Sequence, residues 1–229
     1  TNMSIGNRTG AKGTTATCGG GSCHGTGAGT TVSITVDYAG GVPTTRYVPG
    51  MSYTVKIHGV RTGSTFTEFG FQFASVSGTG SAQVQAGTAS ALPTGVASHT
   101  ASSLNIIEHN SAPLVGTAGS YHVQFTWTAP STAVGNITLY TVLNAVSGEG
   151  SADNTDLSGN TSVTLTPILT PSSVANLANS IGVVAYPNPV TNILNLQAEK
   201  AGVYNVHVYD LNGRTISAEQ MTINGTASV

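Results

Sequence analysis

From residue 29 onward, hydrophobic and polar positions alternate in short runs. "TTVSITVDY" sets Val32, Ile34 and Val36 against polar neighbours, the period-two pattern of a half-buried strand. "MSYTVKIHG" does the same with Tyr53, Val55 and Ile57 against Thr54, Lys56 and His58. "FTEFGFQFASV" puts Phe69, Phe71 and Phe73 on one face, and "YHVQFTWTAP" puts Tyr121, Val123, Phe125 and Trp127 on one face. "GNITLYTVLNAV" and "NTSVTLTPI" add two more strands. Pro49-Gly50, Pro130 and Gly135 mark turns between them, and no segment carries a 3.6-residue period. The pattern predicts an all-β protein built on an Ig-like antiparallel β-sandwich of about seven to nine strands over residues 29–166.

The flanks read differently. Residues 1–28 are rich in Gly and Thr without apolar periodicity, so an ordered loop there needs a pin. Residues 167–182 hold prolines and small polar residues and read as a linker. Residues 183–229 form a second, small β unit. Ile193, Leu194 and Leu196 lead to a turn, Val203, Tyr204, Val206, Val208 and Tyr209 follow, and "DLNGR" supplies an Asn-Gly hairpin turn.

Composition narrows the function. Only 7% of residues are charged and the net charge is −2, so no surface matches a row of phosphates, and nucleic-acid binding is excluded as an expectation. Few charges also leave strand edges weakly protected, which makes a homo-oligomer or filament an open expectation. No apolar run reaches the roughly 20 residues that span a bilayer. The polar start at Thr1 reads as a mature N-terminus after signal removal.

The chemistry concentrates in "TATCGGGSCHGTG", which holds both cysteines, Cys18 and Cys23, with His24 directly after the second. Three readings stand. In a c-type haem, two thioethers attach to one haem edge and the histidine after the second cysteine supplies an axial nitrogen. The usual spacing is two residues. Here it is four, and Gly19, Gly20 and Gly21 let the loop bulge. In the second reading Cys18 and Cys23 form a local disulfide, as paired cysteines of exported proteins usually do, and no cofactor is bound. In the third, Cys18, Cys23, His24 and a remote histidine bind zinc or copper.

The C-terminal "AYPNPVTNILNLQ" (185–197) and "VYDLNGRTI" (208–216) resemble the type A C-terminal sorting domain of the type IX secretion system of Bacteroidota. That resemblance implies passage through the periplasm, type IX export machinery as a partner, and display at the outer-membrane surface or release. Family members usually continue further, so an incomplete sorting domain is the expectation. "NRTGAKGTTATCGGGSCHG", "YVPGMSYTVKI", "FGFQF", "IIEHNSA" and "YHVQFTWTAPSTAVGNITLYTVLNAVSGEGSADN", in that order, resemble the Reeler-like choice-of-anchor V domains found beside such tails. Members typically carry Cys-x-x-Cys-His near the start. The Glu-His pair of "IIEHNSA" belongs to the resemblance and makes His109 the first choice for a second axial ligand, with Glu108 as its supporting acceptor.

The haem sites expected are therefore Cys18 and Cys23 as thioether links and His24 and His109 as iron ligands, in a cell-surface electron-transfer protein with one haem per chain. The alternative is a structural or adhesive module without redox chemistry. His99, in a Ser/Thr/Ala-rich loop, is the reserve ligand. Met51, opening a strand, reads as core packing. His58, His122 and His207 read as solvated. Glu149, Asp153 and Asp156 are spaced like a calcium loop but read better as a polar hairpin loop. No Gly-x-Ser-x-Gly elbow and no placed carboxylate pair is present, so an enzyme is not expected.

Overall fold

The computed structural model describes residues 6–15, 18, 24, 29–110, 113–149, 154–168, 182–187 and 189–229. Cys23, Asp153 and most of the expected linker, residues 169–181, lie outside the described residues. The chain divides into two compact units, Thr1–Leu169 and Thr170–Val229.

In the first unit two sheets face each other. One holds β1 (Thr31–Asp37), β3 (Ser52–Val60), β10 (Ser120–Thr128) and β6 (Thr88–Ser90), in the order β1-β3-β10-β6. The other runs β2 (Arg46–Tyr47), β12 (Leu157–Pro167), β11 (Ile137–Val146), β4 (Glu68–Ser77), β8 (Leu104–His109), β7 (Val96–Ala101). The short β5 (Val84–Gln85) and β9 (Leu114–Val115) pair with β4. Pairing is antiparallel except between β2 and β12. The alternating residues meet between the sheets. Tyr53, Val55, Ile57, Tyr121, Phe125 and Trp127 pack against Phe69, Phe71, Phe73, Leu139 and Leu143. Phe73 meets Phe125 edge-on with centroids 5.0 Å apart. The buried Trp127 Nε1 donates to Ser75 Oγ at 3.2 Å, so its one polar atom is satisfied.

The expected alternation fails on β4, where both faces are buried. The even-numbered side chains leave the sandwich core and meet the N-terminal segment. Ala11 packs there against Ala74, Val76, Leu104 and Ile106. Two glutamines, Gln72 on β4 and Gln83 just before β5, hold the segment in place. Gln72 Oε1 accepts from Arg8 N at 2.8 Å, and its Nε2 donates to Gly6 O at 3.0 Å and to Glu108 Oε2 at 2.6 Å. Gln83 Oε1 accepts from Lys12 N at 2.6 Å. These bonds pin the segment that the sequence left without a periodic signal. Further along, Gly29 N and Thr30 Oγ1 donate to Ser158 O and Leu157 O on β12. Gly159 allows that approach, since a Cβ there would lie 1.7 Å from Thr30 O.

The second unit has β13 (Val183–Tyr186), β14 (Asn195–Ala198) and β17 (Thr226–Ser228) in one sheet, and β15 (Gly202–Tyr209) with β16 (Thr215–Ile223) in another. Leu196, Ala198 and Ile223 form its small core. The Asn-Gly turn is real: Gly213 has φ of 81°, and Asp210 Oδ1 accepts from the backbone N of Asn212 and Arg214.

Gln72 is buried, both Nε2 protons are engaged by Gly6 O and Glu108, and Oε1 accepts from Arg8 N. Gln72→Ala is therefore expected to cost about 2–3 kcal/mol in denaturant unfolding, because it strands buried partners. Gln124→Ala, on the exposed face of β10, is expected to change stability by less than about 0.5 kcal/mol.

Candidate functional site

The N-terminal segment carries the Cys–His motif, and its residues 6–12 lie on the outer face of β4 and β8. At one end of that sheet, Gly70, Asn144 and Ser158 lie side by side in the strand register. Phe69 and Phe71 point into the sandwich core, as do Leu143 and Ala145. Gly70 and Asn144 therefore face the other way, toward the side the segment covers.

Two imidazoles have defined partners here. Nδ1 of His24 lies 3.0 Å from Asp156 Oδ2. Asp156 itself is buried, and its Oδ1 accepts from Ser147 N at 2.9 Å. A carboxylate only accepts, so Nδ1 of His24 carries the ring proton and Nε2 keeps its lone pair in the neutral ring. His109, at the end of β8, lies across from Phe71. Phe71 N donates to its Nδ1 at 3.2 Å in one tautomer, and Nδ1 donates to Phe71 O at 3.3 Å in the other. Only the second leaves a lone pair on Nε2. The ring rests over Gly70, where a Cβ would come within 2.7 Å of Cε1. That glycine makes room for the imidazole. Burial lowers the His109 pKa against the opposing pull of the Phe71 backbone and Glu108.

Cys18 is a free thiol here and keeps some exposure as a residue. Desolvation nevertheless pushes its thiol up to about 12, with Arg8 opposing and Glu108 adding. Such a sulfur is no activated nucleophile, and a thiolate–metal bond there would have to overcome that penalty. Buried Glu108 stands between Gln72 and His99. His99 Nδ1 is 2.9 Å from Glu108 Oε1, but neither atom meets hydrogen-bond geometry. Asn144 is buried with both amide atoms unpaired. An orphaned amide beside a glycine cradle and its imidazole is a polar surface built for something it can hydrogen-bond.

Several expectations need correction. His99 is on strand β7 rather than in a loop, because its segment pairs in register with β8. Met51 is exposed instead of packing the core, since it lies just before β3 begins. Asp156 is a buried anchor for His24, not a residue of an open polar loop. Glu149 stays exposed in that loop. His58 and His122 lie on the outer face of the other sheet, as their register predicts, and His207 is exposed in the second unit. Of the four sites expected for a haem, His24 contacts Asp156, His109 contacts the Phe71 backbone, Cys18 is a free thiol, and Cys23 lies outside the described residues. The sequence carried no sign of Asp156 or Asn144 as parts of this site, because nothing in their spacing links them to residues 18–24. No group of three His, Cys, Asp or Glu side chains among the described residues is arranged as a metal cage.

Residues 17–146 match the Reeler domain. The chain belongs to the Reeler domain family. Residues 184–229 match the secretion system C-terminal sorting domain, which directs export to the cell surface or the extracellular space. The Reeler chain is thus a secreted surface module. No helix among the described residues is long and apolar enough to cross a membrane. No curated protein matches the sequence. Among solved structures, the Reelin-N domain of F-spondin is 16% identical, covering 58% of this chain and 77% of its own, with a TM-score of 0.35. A human F-spondin reeler domain fragment is 18% identical over 59% of this chain and 92% of its own, with a TM-score of 0.37. A cohesin module from a Clostridium perfringens family 33 glycoside hydrolase is 11% identical over 62% of this chain and 100% of its own, at 0.34. The family assignment rests on the domain match rather than on these structures.

Two outcomes follow from the imidazole site. Gly70→Ala is expected to displace the His109 ring, seen as a changed His109 side-chain NMR signal while the far-UV spectrum stays native. The lowered His109 pKa also sets a pH dependence. Below its ordinary value of 6.5 the unfolded chain binds a proton that the folded chain resists. Stability therefore falls as pH drops through that value and levels off below the folded pKa. The denaturation midpoint is expected to fall between about pH 7.5 and pH 5.5, and by less in His109→Gln. An equal fall in both chains would remove His109 as a source.

Proposed function

We propose that this chain is a secreted surface protein for extracellular electron transfer that carries one c-type haem and catalyses no reaction of its own. Cys18 and Cys23 would hold the haem by thioethers, and His24 and His109 would be its axial ligands. The observation that carries the reading is that His24 and His109 each contact a partner through Nδ1, Asp156 Oδ2 for one and the Phe71 backbone for the other, with no hydrogen bond on Nε2 among the described residues. Holding one ring nitrogen by a carboxylate or carbonyl is how proteins orient an imidazole toward a metal. The Gly70 cradle and the unpaired Asn144 amide favour the same reading. When bound, the haem supplies a one-electron couple, and two imidazole ligands suit transfer better than oxygen chemistry. For the chain's own part, Asp156 would keep His24 in the required tautomer, and Phe71 O would accept from Nδ1 of His109 in the tautomer that leaves Nε2 free. Transfer over distance with one haem per chain requires subunits that bring haems close, so the reading extends to a homopolymer, in keeping with the sparse surface charge.

A second reading has its own support: the buried carboxylates Asp37, Glu108 and Asp156 have Lys56, Gln72 and His24 as internal partners without any cofactor. In that case the chain is a structural or adhesive module with a Cys18–Cys23 disulfide.

The test is the absorption of protein from its natural source, denatured in alkaline pyridine and reduced. A haemochrome band that stays with the chain is expected, and it weakens or shifts in Cys18→Ala. His109→Gln is expected to keep the covalent band but to convert the native spectrum from low-spin to high-spin. A colourless chain two hydrogen masses lighter than its reduced form would overturn the haem reading and leave the structural module.

A further inference from the structure

The other sheet carries a second pair of histidines. His58 on β3 and His122 on β10 are directly opposed in the antiparallel register. Opposed residues have Cβ atoms about 4.5–5.5 Å apart, so their side chains share one space. The rings stack with centroids 4.2 Å apart and planes 6° from parallel. Nε2 of His58 is 3.3 Å from Ser120 Oγ, and Nε2 of His122 is 3.1 Å from the same atom. Two imidazole nitrogens therefore converge on one point. The surface around them is a shallow depression lined by Ser33, Thr35, Lys56 and Gln124.

We propose that His58 and His122 form a surface site for a divalent transition-metal ion of the zinc and copper class, bound through both Nε2 atoms and completed by Ser120 and water. Imidazole is a preferred ligand of such ions, at about 2.0–2.1 Å for zinc. The paired strands fix the two Cβ positions, and the stacked rings turn about their side-chain torsions to direct both Nε2 lone pairs at one ion. The surrounding charges permit a cation. Lys56 is the one cationic side chain lining the depression, and its Nζ lies 2.6 Å from buried Asp37 Oδ2, which offsets its charge. Ser33 and Thr35 on β1 and Gln124 on β10 are uncharged. Burial first, and then the charge of His122, lower the His58 pKa, so His58 presents a lone pair at neutral pH. Protonating both rings sets like charges face to face, whereas one metal ion serves both lone pairs. The site shares no residue with the His24–His109 face, so it stands or falls separately from the haem reading.

The experiment is a Zn²⁺ titration of the full chain by calorimetry at neutral pH, with far-UV spectra to show that each variant is folded. One Zn²⁺ per chain is expected, with affinity falling at least about tenfold in His58→Gln and again in His122→Gln, as loss of a ligand requires. His207→Gln, in the second unit, is expected to bind as the unaltered chain does. A second measurement needs no variant: Zn²⁺ is expected to slow acylation of His58 and His122 by diethyl pyrocarbonate, mapped by mass spectrometry, and to leave His207 unprotected. Unchanged affinity in either folded variant, or acylation of His58 and His122 unaffected by Zn²⁺, overturns the proposal.

Discussion

A glutamine on the outer face of an interior strand must find hydrogen bonds or lose stability, and Gln72 finds them in residues 6–8 and in Glu108. Much else depends on that constraint. The N-terminal segment has no strand pattern of its own, yet it lies down on β4 and β8 because the sheet offers it amide partners and a small apolar patch around Ala11. Once it lies there, the outer face of β4 becomes interior. Glu108 and Asn144 are then buried, and burial is what lowers the His109 pKa and raises that of Cys18. A segment of low information content is thus ordered by the polar groups of the sheet beneath it.

The two sheets use their outer faces in different ways. On the β4 side, carboxylates and carbonyls grip histidines through Nδ1 and the face is covered. On the β3–β10 side, the histidines grip nothing but a shared hydroxyl, and the face stays open to solvent. The contrast follows from chain routing. Residues 29 and 30 cross to β12 through the gap left by Gly159, which commits the N-terminal segment to one sheet and leaves the other bare. An imidazole that is buried and pinned has a defined tautomer. One that is exposed can turn to meet what arrives.

Buried carboxylates set the electrostatics of the covered face. In a chain with so few charges, Asp156 and Glu108 are costly to bury without partners. Asp156 is partnered by Ser147 N and His24, and Glu108 by Gln72, with His99 Nδ1 2.9 Å from its other oxygen. Asn144 has no such settlement, which sets it apart from its neighbours.

Local pattern was enough for the sandwich. Val55, Phe71, Phe125 and Leu139 alternate with polar residues, and a strand's two-residue period turns alternation directly into a core face. The Cys–His motif and the sorting-like tail were legible for a similar reason, being short and contiguous. What tertiary structure alone decided was which remote residues meet the motif. Asp156 is 132 positions from His24, and Gly70 is 39 from His109, so no local spacing encodes either contact. Strand order and register bring them together. The double burial of β4 was hidden in the same way, because it comes from a segment whose own sequence has no periodicity to announce where it will lie.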